Sequence, residues 1–245
     1  MTSPRYARLI SGLVFILLLT VNAVGQQNFF NVPSSDITER TKVFFQQQFN
    51  LFSNSCTSNS TFCYGVGQGT EIGVNVLGVS YDFAQRTMVA SPKDEQPVYP
   101  SFGLNAQKLF ELSDVYALSV GAQLLFPRQA HRYEWYAYLN NRVELHRLKL
   151  ILGLYGGNDN YFDSEPRFSG SNRSLGVQAG IEYELIADRI YLQADYLTGR
   201  TALSNLIVGG AIKVTQSLFL SAGYQLPNNV QTSAKGLVLE ITFVE

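Results

Sequence analysis

The chain has 245 residues, of which 15% are charged and 13% are aromatic, and its net charge is −1 at pH 7. This length predicts a single domain. Because phosphate binding requires an excess of basic residues, the charge balance argues against a nucleic-acid partner. The mean hydropathy of +0.01 is lower than that of a helical membrane protein and is compatible with regular alternation of apolar and polar residues.

The first 25 residues have the three parts of a secretory signal peptide. Arg5 and Arg8 form a basic start, residues 9–21 form an apolar core, and Ala23 and Gly25 provide small residues before a cleavage site. The apolar core is shorter than the roughly 20 residues that a spanning helix needs. We therefore expect residues 1–25 to be removed on export.

Alternation with period two dominates the chain from residue 42 to the end. One clear segment places Leu175, Val177, Ala179, Ile181, Tyr183 and Leu185 against Gly176, Gln178, Gly180, Glu182 and Glu184. This spacing puts the two sets on opposite faces of a strand. Twelve such segments are predicted, near 42–52, 59–67, 70–82, 98–110, 114–126, 131–143, 147–156, 173–185, 189–199, 203–214, 217–226 and 235–245.

Most of these segments approach the roughly 9–11 residues that a tilted membrane strand requires. Short turns alternate along the chain with connections that are mostly longer and polar, as in barrels with short turns at one end and loops at the other. An even number of strands places both termini at the turn end. The predicted fold is therefore all-β, an antiparallel up-and-down transmembrane β-barrel over residues 42–245.

The signal peptide, the ladder of long amphipathic strands and the final strand Leu-Val-Leu-Glu-Ile-Thr-Phe-Val-Glu together resemble Gram-negative outer-membrane β-barrel proteins. The hairpin from Tyr64 to Val76 is similar to the tight Gly-rich turns of transporter-like, porin-like members of that class. Such proteins typically end on an aromatic residue, whereas Phe243 is followed here by Val244 and Glu245. The resemblance implies the bacterial outer membrane as the location and its lipid bilayer as a partner.

Residues 26–41 precede the first strand and form a polar leader on the periplasmic side. We expect a flexible tail. The alternative is a plug inside the lumen, for which Asp36 and Glu39 offer a weak helix-capping pattern.

Polar and charged residues on the inward face of the strands are the candidates for the lumen lining. A carboxylate is favourable there where the interior is wet or where the charge is paired. Acids outnumber bases in this set, so an open lumen is expected to favour cations mildly. The alternative is that Arg142 and Lys149 pair with carboxylates and hold the interior shut. The candidates are Glu71, Glu134, Tyr136, Tyr138, Arg142, Glu182, Glu184, Asp195 and Glu240.

Cys56 and Cys63 lie seven residues apart in a segment rich in Ser, Thr and Asn. In an exported chain this even pair predicts a disulfide that closes a small loop. Acidic residues in the connection 157–172 match no defined calcium loop, so no metal site and no cofactor are expected.

The favoured function is a channel or transporter-like barrel for small solutes. The alternatives are a closed structural or surface-interaction barrel and a membrane-embedded hydrolase. Serine catalysis needs a base within hydrogen-bond reach, and His131 is the candidate base. Because neither His lies in a His-x-Ser pattern, we expect the chain not to be an enzyme.

Overall fold

The computed structural model describes residues 28–90, 100–128, 133–158, 161, 174–201 and 203–245. Across these ranges there is no helix long and apolar enough to cross a membrane. The described strands are β1 (Val43–Leu51), β2 (Ser55–Gly67), β3 (Thr70–Asp82), β4 (Thr87–Val89), β5 (Ser101–Glu111), β6 (Tyr116–Pro127), β7 (Glu134–Leu145), β8 (Leu148–Gly157), β9 (Ser174–Ile186), β10 (Ile190–Leu197), β11 (Asn205–Lys213), β12 (Leu218–Pro227) and β13 (Gly236–Val244).

Twelve of these strands form a closed antiparallel barrel. Each pairs with its neighbours in chain order, and β1 closes the sheet by pairing with β13 from Phe44↔Val244 to Leu51↔Leu237. The short strand β4 pairs with the end of β3 and extends that hairpin beyond the barrel. The predicted all-β barrel of twelve strands is confirmed.

The connections fall at two ends of the barrel. The turn end holds 68–69, 112–115, 146–147, 187–189 and 214–217, and the loop end holds 52–54, 83–100, 128–133, 158–173, 198–204 and 228–235. The connections at the loop end are longer than those at the turn end, as predicted, except for the connection 52–54. That connection is shorter because β2 begins at Ser55 rather than at residue 59.

A β-bulge interrupts the pairing of β2 with β3. Ser58 pairs with Val79 and Ser60 with Val76, so Leu77 and Gly78 together lie opposite Asn59. Gly78 has φ 72° and donates its main-chain N–H to Asn59 Oδ1 at 2.8 Å. The alternation slips by one at this point in the sequence, and the bulge that the slip predicts is confirmed.

Large apolar side chains cover the outer face of the barrel. Polar groups interrupt this cover on β1 and β2, where Gln47 bonds to the hydroxyls of Ser58 (2.7 Å) and Ser60 (2.6 Å). The outer apolar residues include Leu104, Val120, Leu139, Leu152, Leu154, Ile181, Leu192, Val208, Leu239 and Ile241.

The leader lies inside the barrel. It enters at the turn end, where Arg40 forms a parallel bridge with Gly65 and Thr41 donates its N–H to the Gly65 carbonyl at 2.8 Å. Further along, Phe29 and Val32 are fully buried. The expectation of a flexible tail is therefore wrong for residues 28–38. The alternative, a plug, matches the structure because the leader finds apolar and hydrogen-bonding partners on the inward face.

The two cysteines do not form the predicted disulfide. Cys56 and Cys63 lie on the same strand, β2, and no disulfide joins them. Seven residues of extended strand separate their Cα atoms by about 23 Å, whereas a disulfide needs less than about 7 Å. The prediction fails because residues 55–61, polar on both faces, continue the strand and do not form a loop.

Candidate functional site: the lumen and its plug

The lumen wall consists of the inward side chains of the barrel strands, and it is largely polar. Every candidate for the lumen lining carries its side chain on this inward face. Several of them are less than 5% exposed, and two of these, Glu71 and Asp195, bond to the leader. The buried polar wall residues include Gln46, Gln48, Glu71, Asn75, Gln107, Ser119, Asn140, Gln178, Gln193, Asp195, Glu240 and Thr242.

Asp195 on β10 holds the tip of the leader through the main chain. Its Oδ2 atom accepts N–H bonds from Phe30 (3.0 Å), Asn31 (2.6 Å) and Val32 (2.8 Å). Three consecutive N–H groups that converge on one oxygen form an anion-binding concavity. Since hydrogen bonds to a charged acceptor are roughly twice as strong as neutral ones, Asp195 is a principal anchor of the plug.

Glu71 on β3 holds the opposite part of the leader. Its Oε2 accepts the main-chain N–H of Thr38 at 2.8 Å and the Thr38 hydroxyl at 2.9 Å. The carboxylate is 3% exposed. The two candidate acids Glu71 and Asp195 therefore bind N–H and O–H donors of the leader.

Wall side chains also donate to leader carbonyls. Gln48 Nε2 bonds to the carbonyl of Phe30 at 2.9 Å, and Gln107 Nε2 bonds to that of Asp36 at 2.7 Å. Asn140 Nδ2 donates to the Pro33 carbonyl and Arg142 donates to the Ser35 carbonyl, each at 3.1 Å.

Asp36 of the leader forms ion pairs with two inward bases, Arg142 and Lys149. Its carboxylate lies 3.5 Å from Arg142 and 3.0 Å from Lys149. Lys149 also lies 3.5 Å from Glu182 and 3.6 Å from Glu144. The expected pairing of the inward bases with carboxylates is therefore present, and the leader supplies one of the carboxylates.

Aromatic rings pack around the apolar tip of the leader. Phe29 and Val32 belong to a buried cluster with wall residues from several strands. Tyr136 lies at its centre, with ring centroids 5.8 Å from Tyr138, 5.9 Å from Tyr155 and 5.5 Å from Tyr161. The tyrosine hydroxyls bond to the wall, since Tyr136 donates to Gln178 at 2.6 Å and Tyr138 donates to Gln107.

Glycines in the wall make room for the leader. A Cβ built on Gly180 of β9 would overlap the ring of Phe29, and one on Gly223 would press against Phe30. A Cβ on Gly65 would overlap the leader carbonyls of Thr38 and Glu39. At these points the wall is shaped to the leader.

The other candidate residues contact the wall. Glu240 accepts from Gln48 at 2.9 Å, Glu182 accepts from Gln193 at 2.6 Å, and Glu184 accepts the N–H of Asp188 in the turn. Glu134 is fully buried near the loop end of β7.

A cavity of about 110 Å³ lies beside the leader tip, between Asn28, Asn31, Gln46, Asn59, Gln123 and Tyr136. Its volume is below the roughly 150 Å³ of an engineered cavity that binds benzene. A larger cleft of about 850 Å³ lies at the turn end, bordered by Arg40, Glu111, Arg142, Glu144 and Lys149. The docked leader thus leaves little space at the tip and an open, charged mouth behind it.

Sequence reasoning did not assign roles to the leader residues that occupy the site, among them Phe29, Phe30 and Val32. The available signal was an apolar group, Phe-Phe-Asn-Val, within an otherwise polar exported segment. Its partners lie far away in the chain, as the separation of 163 residues between Val32 and Asp195 shows.

Three features from the sequence analysis lie outside the described residues. They are the predicted signal peptide of residues 1–25, the candidate base His131, and the acids Asp159, Asp163 and Glu165 of the connection 157–172. Within the described ranges, no group of His, Cys, Asp and Glu is placed to hold a metal ion.

No family model and no curated protein sequence matches the chain. Solved structures of porins are similar to it in fold. A KdgM porin in complex with disordered oligogalacturonate has a TM-score of 0.56 at 10% identity, with 82% of this chain and 98% of that chain covered. The NanC porin has a TM-score of 0.54 at 9% identity, covering 83% and 98% of the two chains. The chain therefore has the twelve-stranded barrel fold of these porins.

Proposed function

We propose that this protein is an outer-membrane channel for small solutes whose lumen is closed by its own N-terminal leader. The observation that carries the proposal is that a separable segment, residues 28–41, occupies a polar lumen. Its covalent connection to the barrel is at the turn end, next to β1. The barrel strands pair with one another independently of the leader.

The outer surface of the barrel supports a location in the outer membrane. Apolar side chains such as Leu152 and Leu154, each 60% exposed, suit a lipid environment, whereas a charge at the middle of that face would cost roughly 2–4 kcal/mol. The turn end would face the periplasm and the loop end the exterior, after removal of residues 1–25. The porin fold of the similar structures agrees with this arrangement.

The inward carboxylates suggest the selectivity. When the leader leaves, Asp195 and Glu71 lose the N–H donors that now bond to them, and both carboxylates stay on the inward face. Arg142 and Lys149 lose Asp36 at the same time, but Lys149 keeps Glu182 and Glu144. The open lumen would therefore favour cations.

The second candidate function is a permanently closed structural barrel. The observation in its favour is the number of partners that fix the leader, in particular the anchors at Asp195 and Asp36. The two functions differ in what happens when the leader is removed.

Ion conductance in a planar lipid bilayer tests the proposal. A protease site inserted between Glu39 and Arg40, both exposed at the turn end, allows the leader to be released from the folded chain. A chain refolded without residues 26–40 provides a second route. The intact protein is expected to be silent and both leaderless forms to show discrete current steps.

The matched control carries the same protease site between Val230 and Gln231 in a loop-end connection. Cutting there breaks the chain but leaves the leader attached, so the barrel should stay silent. Silence of a leaderless barrel whose β-structure is verified would overturn the channel and favour the structural barrel.

A further inference from the structure

The lumen wall binds the leader mainly through the leader's main chain. Side chains from five strands contribute, and their contacts extend along the leader from Phe30 to Thr38. The wall residues that bond to leader N–H or C=O groups are Gln48, Glu71, Gln107, Asn140, Arg142 and Asp195.

Main-chain N–H and C=O groups are common to all peptides except at proline nitrogens. A site that bonds to them can accept peptides of different sequence, because the groups that it recognises are shared by all peptide backbones. The wall thus has both kinds of partner that a peptide backbone needs: carboxylates for N–H groups and amide or guanidinium donors for C=O groups.

The apolar contacts set a simple side-chain requirement. Gly180 and Gly223 leave space for the rings of Phe29 and Phe30. Phe30 packs there with Ile207 and Val238 of the wall. An aromatic or large apolar pair near one end of a peptide would fill the same space.

We propose that the lumen is a binding site for short peptides that adopt the leader's conformation, with a turn at residues 29–32, and that the leader occupies this site in cis as an internal ligand. This inference rests on the proposed channel function and names its solute class. A peptide of about ten residues with an apolar pair at its start would take the place of residues 29–38 once the leader has left. Its N–H groups would bond to Asp195 and Glu71.

The test uses the full chain with the protease site between Glu39 and Arg40, cleaved after folding and freed of its leader. Three fluorescent peptides are compared by anisotropy in detergent. The first has the sequence of residues 26–40. The second carries the changes Asn31→Ala, Ser35→Ala and Thr38→Ala, which remove side-chain hydrogen bonds but keep the main chain, the Asp36 ion pairs and the Phe pair. The third has the first sequence with N-methyl groups at Asn31 and Val32.

We expect the first two peptides to bind with affinities within about tenfold of each other. The N-methylated peptide is expected to bind at least ~30-fold more weakly, because it lacks two N–H bonds to the Asp195 carboxylate. The three peptides should block the current steps of the channel in the same order as they bind in the anisotropy measurement. Maltotriose, a neutral oligosaccharide, is the non-peptide probe and should not block at the same concentration.

Loss of binding by the second peptide, with retention by the N-methylated one, would overturn the proposal, because recognition would then depend on the leader's side chains. Equal block by maltotriose would also overturn it. The anisotropy measurement does not depend on conduction. A silent barrel that binds peptides would contradict the channel, whereas a conducting barrel that ignores them would contradict the peptide site.

Discussion

The Oδ2 atom of Asp195 lies 2.6 Å from the main-chain nitrogen of Asn31, although 164 residues separate the two in sequence. This contact joins the leader to the wall of β10. The neighbouring amides of Phe30 and Val32 bond to the same oxygen. This inward carboxylate, which the sequence analysis gives as a candidate for the lumen lining, accepts the N–H groups of a plug.

Replacement of Asp195 by Ala should loosen the leader without opening the barrel. Three buried N–H groups would lose a charged acceptor, at a cost of about 2–4 kcal/mol to the docked state. Amide hydrogen exchange at Asn31 and Val32 should then be roughly 30- to 700-fold faster, provided that it proceeds through undocking.

The matched control is Glu184→Gln, which removes an inward carboxylate that bonds to the turn residue Asp188. It should leave exchange at Asn31 and Val32 unchanged. Equal protection in the Asp195→Ala variant would show that Asp195 does not anchor the leader.

Gly180→Ala should push the leader tip out of its place, because the new Cβ would overlap the ring of Phe29. Overpacking of this kind costs about 1–3 kcal/mol, so the undocked fraction should rise roughly 5- to 150-fold. Cleavage at the inserted site between Glu39 and Arg40, followed by the rate of leader release, measures the change.

Gly176→Ala is the control for that variant. It lies on the same strand and faces inward, but its Cβ would meet the ring of Tyr155 rather than the leader. Leader release that is equally fast in the two variants would indicate general disruption of the wall and would argue against a specific fit at Gly180.

Neutralising the carboxylates that the leader leaves behind should reduce cation preference. In the leaderless barrel we expect Glu71→Gln combined with Asp195→Asn to shift the reversal potential in a salt gradient toward zero. Asp114→Asn, in an exposed turn, is the control and should have no effect. An unchanged reversal potential in the double variant would mean that residues other than Glu71 and Asp195 determine the cation selectivity.

Both cysteines should remain reduced after folding under oxidising conditions. They lie on one strand, too far apart to pair, so a denatured sample should contain two thiols that react with an alkylating reagent. In the folded protein Cys56, which is partly exposed, should react faster than Cys63, which is 1% exposed. A mass decrease of about 2 Da with no reactive thiol would contradict the strand assignment of residues 55–61.

The strands could be predicted from the sequence because lipid-facing and inward residues alternate, as Leu237, Leu239 and Ile241 do against Val238 and Glu240. The bulge at Gly78 could also be predicted, because the alternation slips there. The first half of β2 could not be predicted, because it shows no alternation of apolar and polar residues. Ser58 and Ser60 on its outer face bond to Gln47, so no apolar side chain marks that face.

The plug could not be predicted from local pattern, because its structure depends on distant partners. Asp36 bonds to Lys149 across 113 residues, and Phe29 fits a space that a glycine at position 180 provides. The inward facing of Glu71 and Asp195 could be predicted from period two. The N–H donors of the leader that bond to these two carboxylates could not be predicted, since the leader has no regular secondary structure.

A reversible tether of the leader to the wall is the most direct test of the plug. The hydroxyls of Ser35 and Ser119 lie 2.6 Å apart in the buried lumen, so Ser35→Cys with Ser119→Cys should form a disulfide. The variant also carries Cys56→Ser, Cys63→Ser and the protease site between Glu39 and Arg40.

Conductance of this variant after cleavage is measured before and after addition of a reductant. The plug predicts silence while the disulfide holds the cleaved leader, and discrete current steps after reduction releases it. Steps in the oxidised state would contradict the claim that the leader closes the lumen. Mass spectrometry checks that the leader has left after reduction. A barrel that stays silent once the leader has left would contradict the claim that an open passage lies behind the leader.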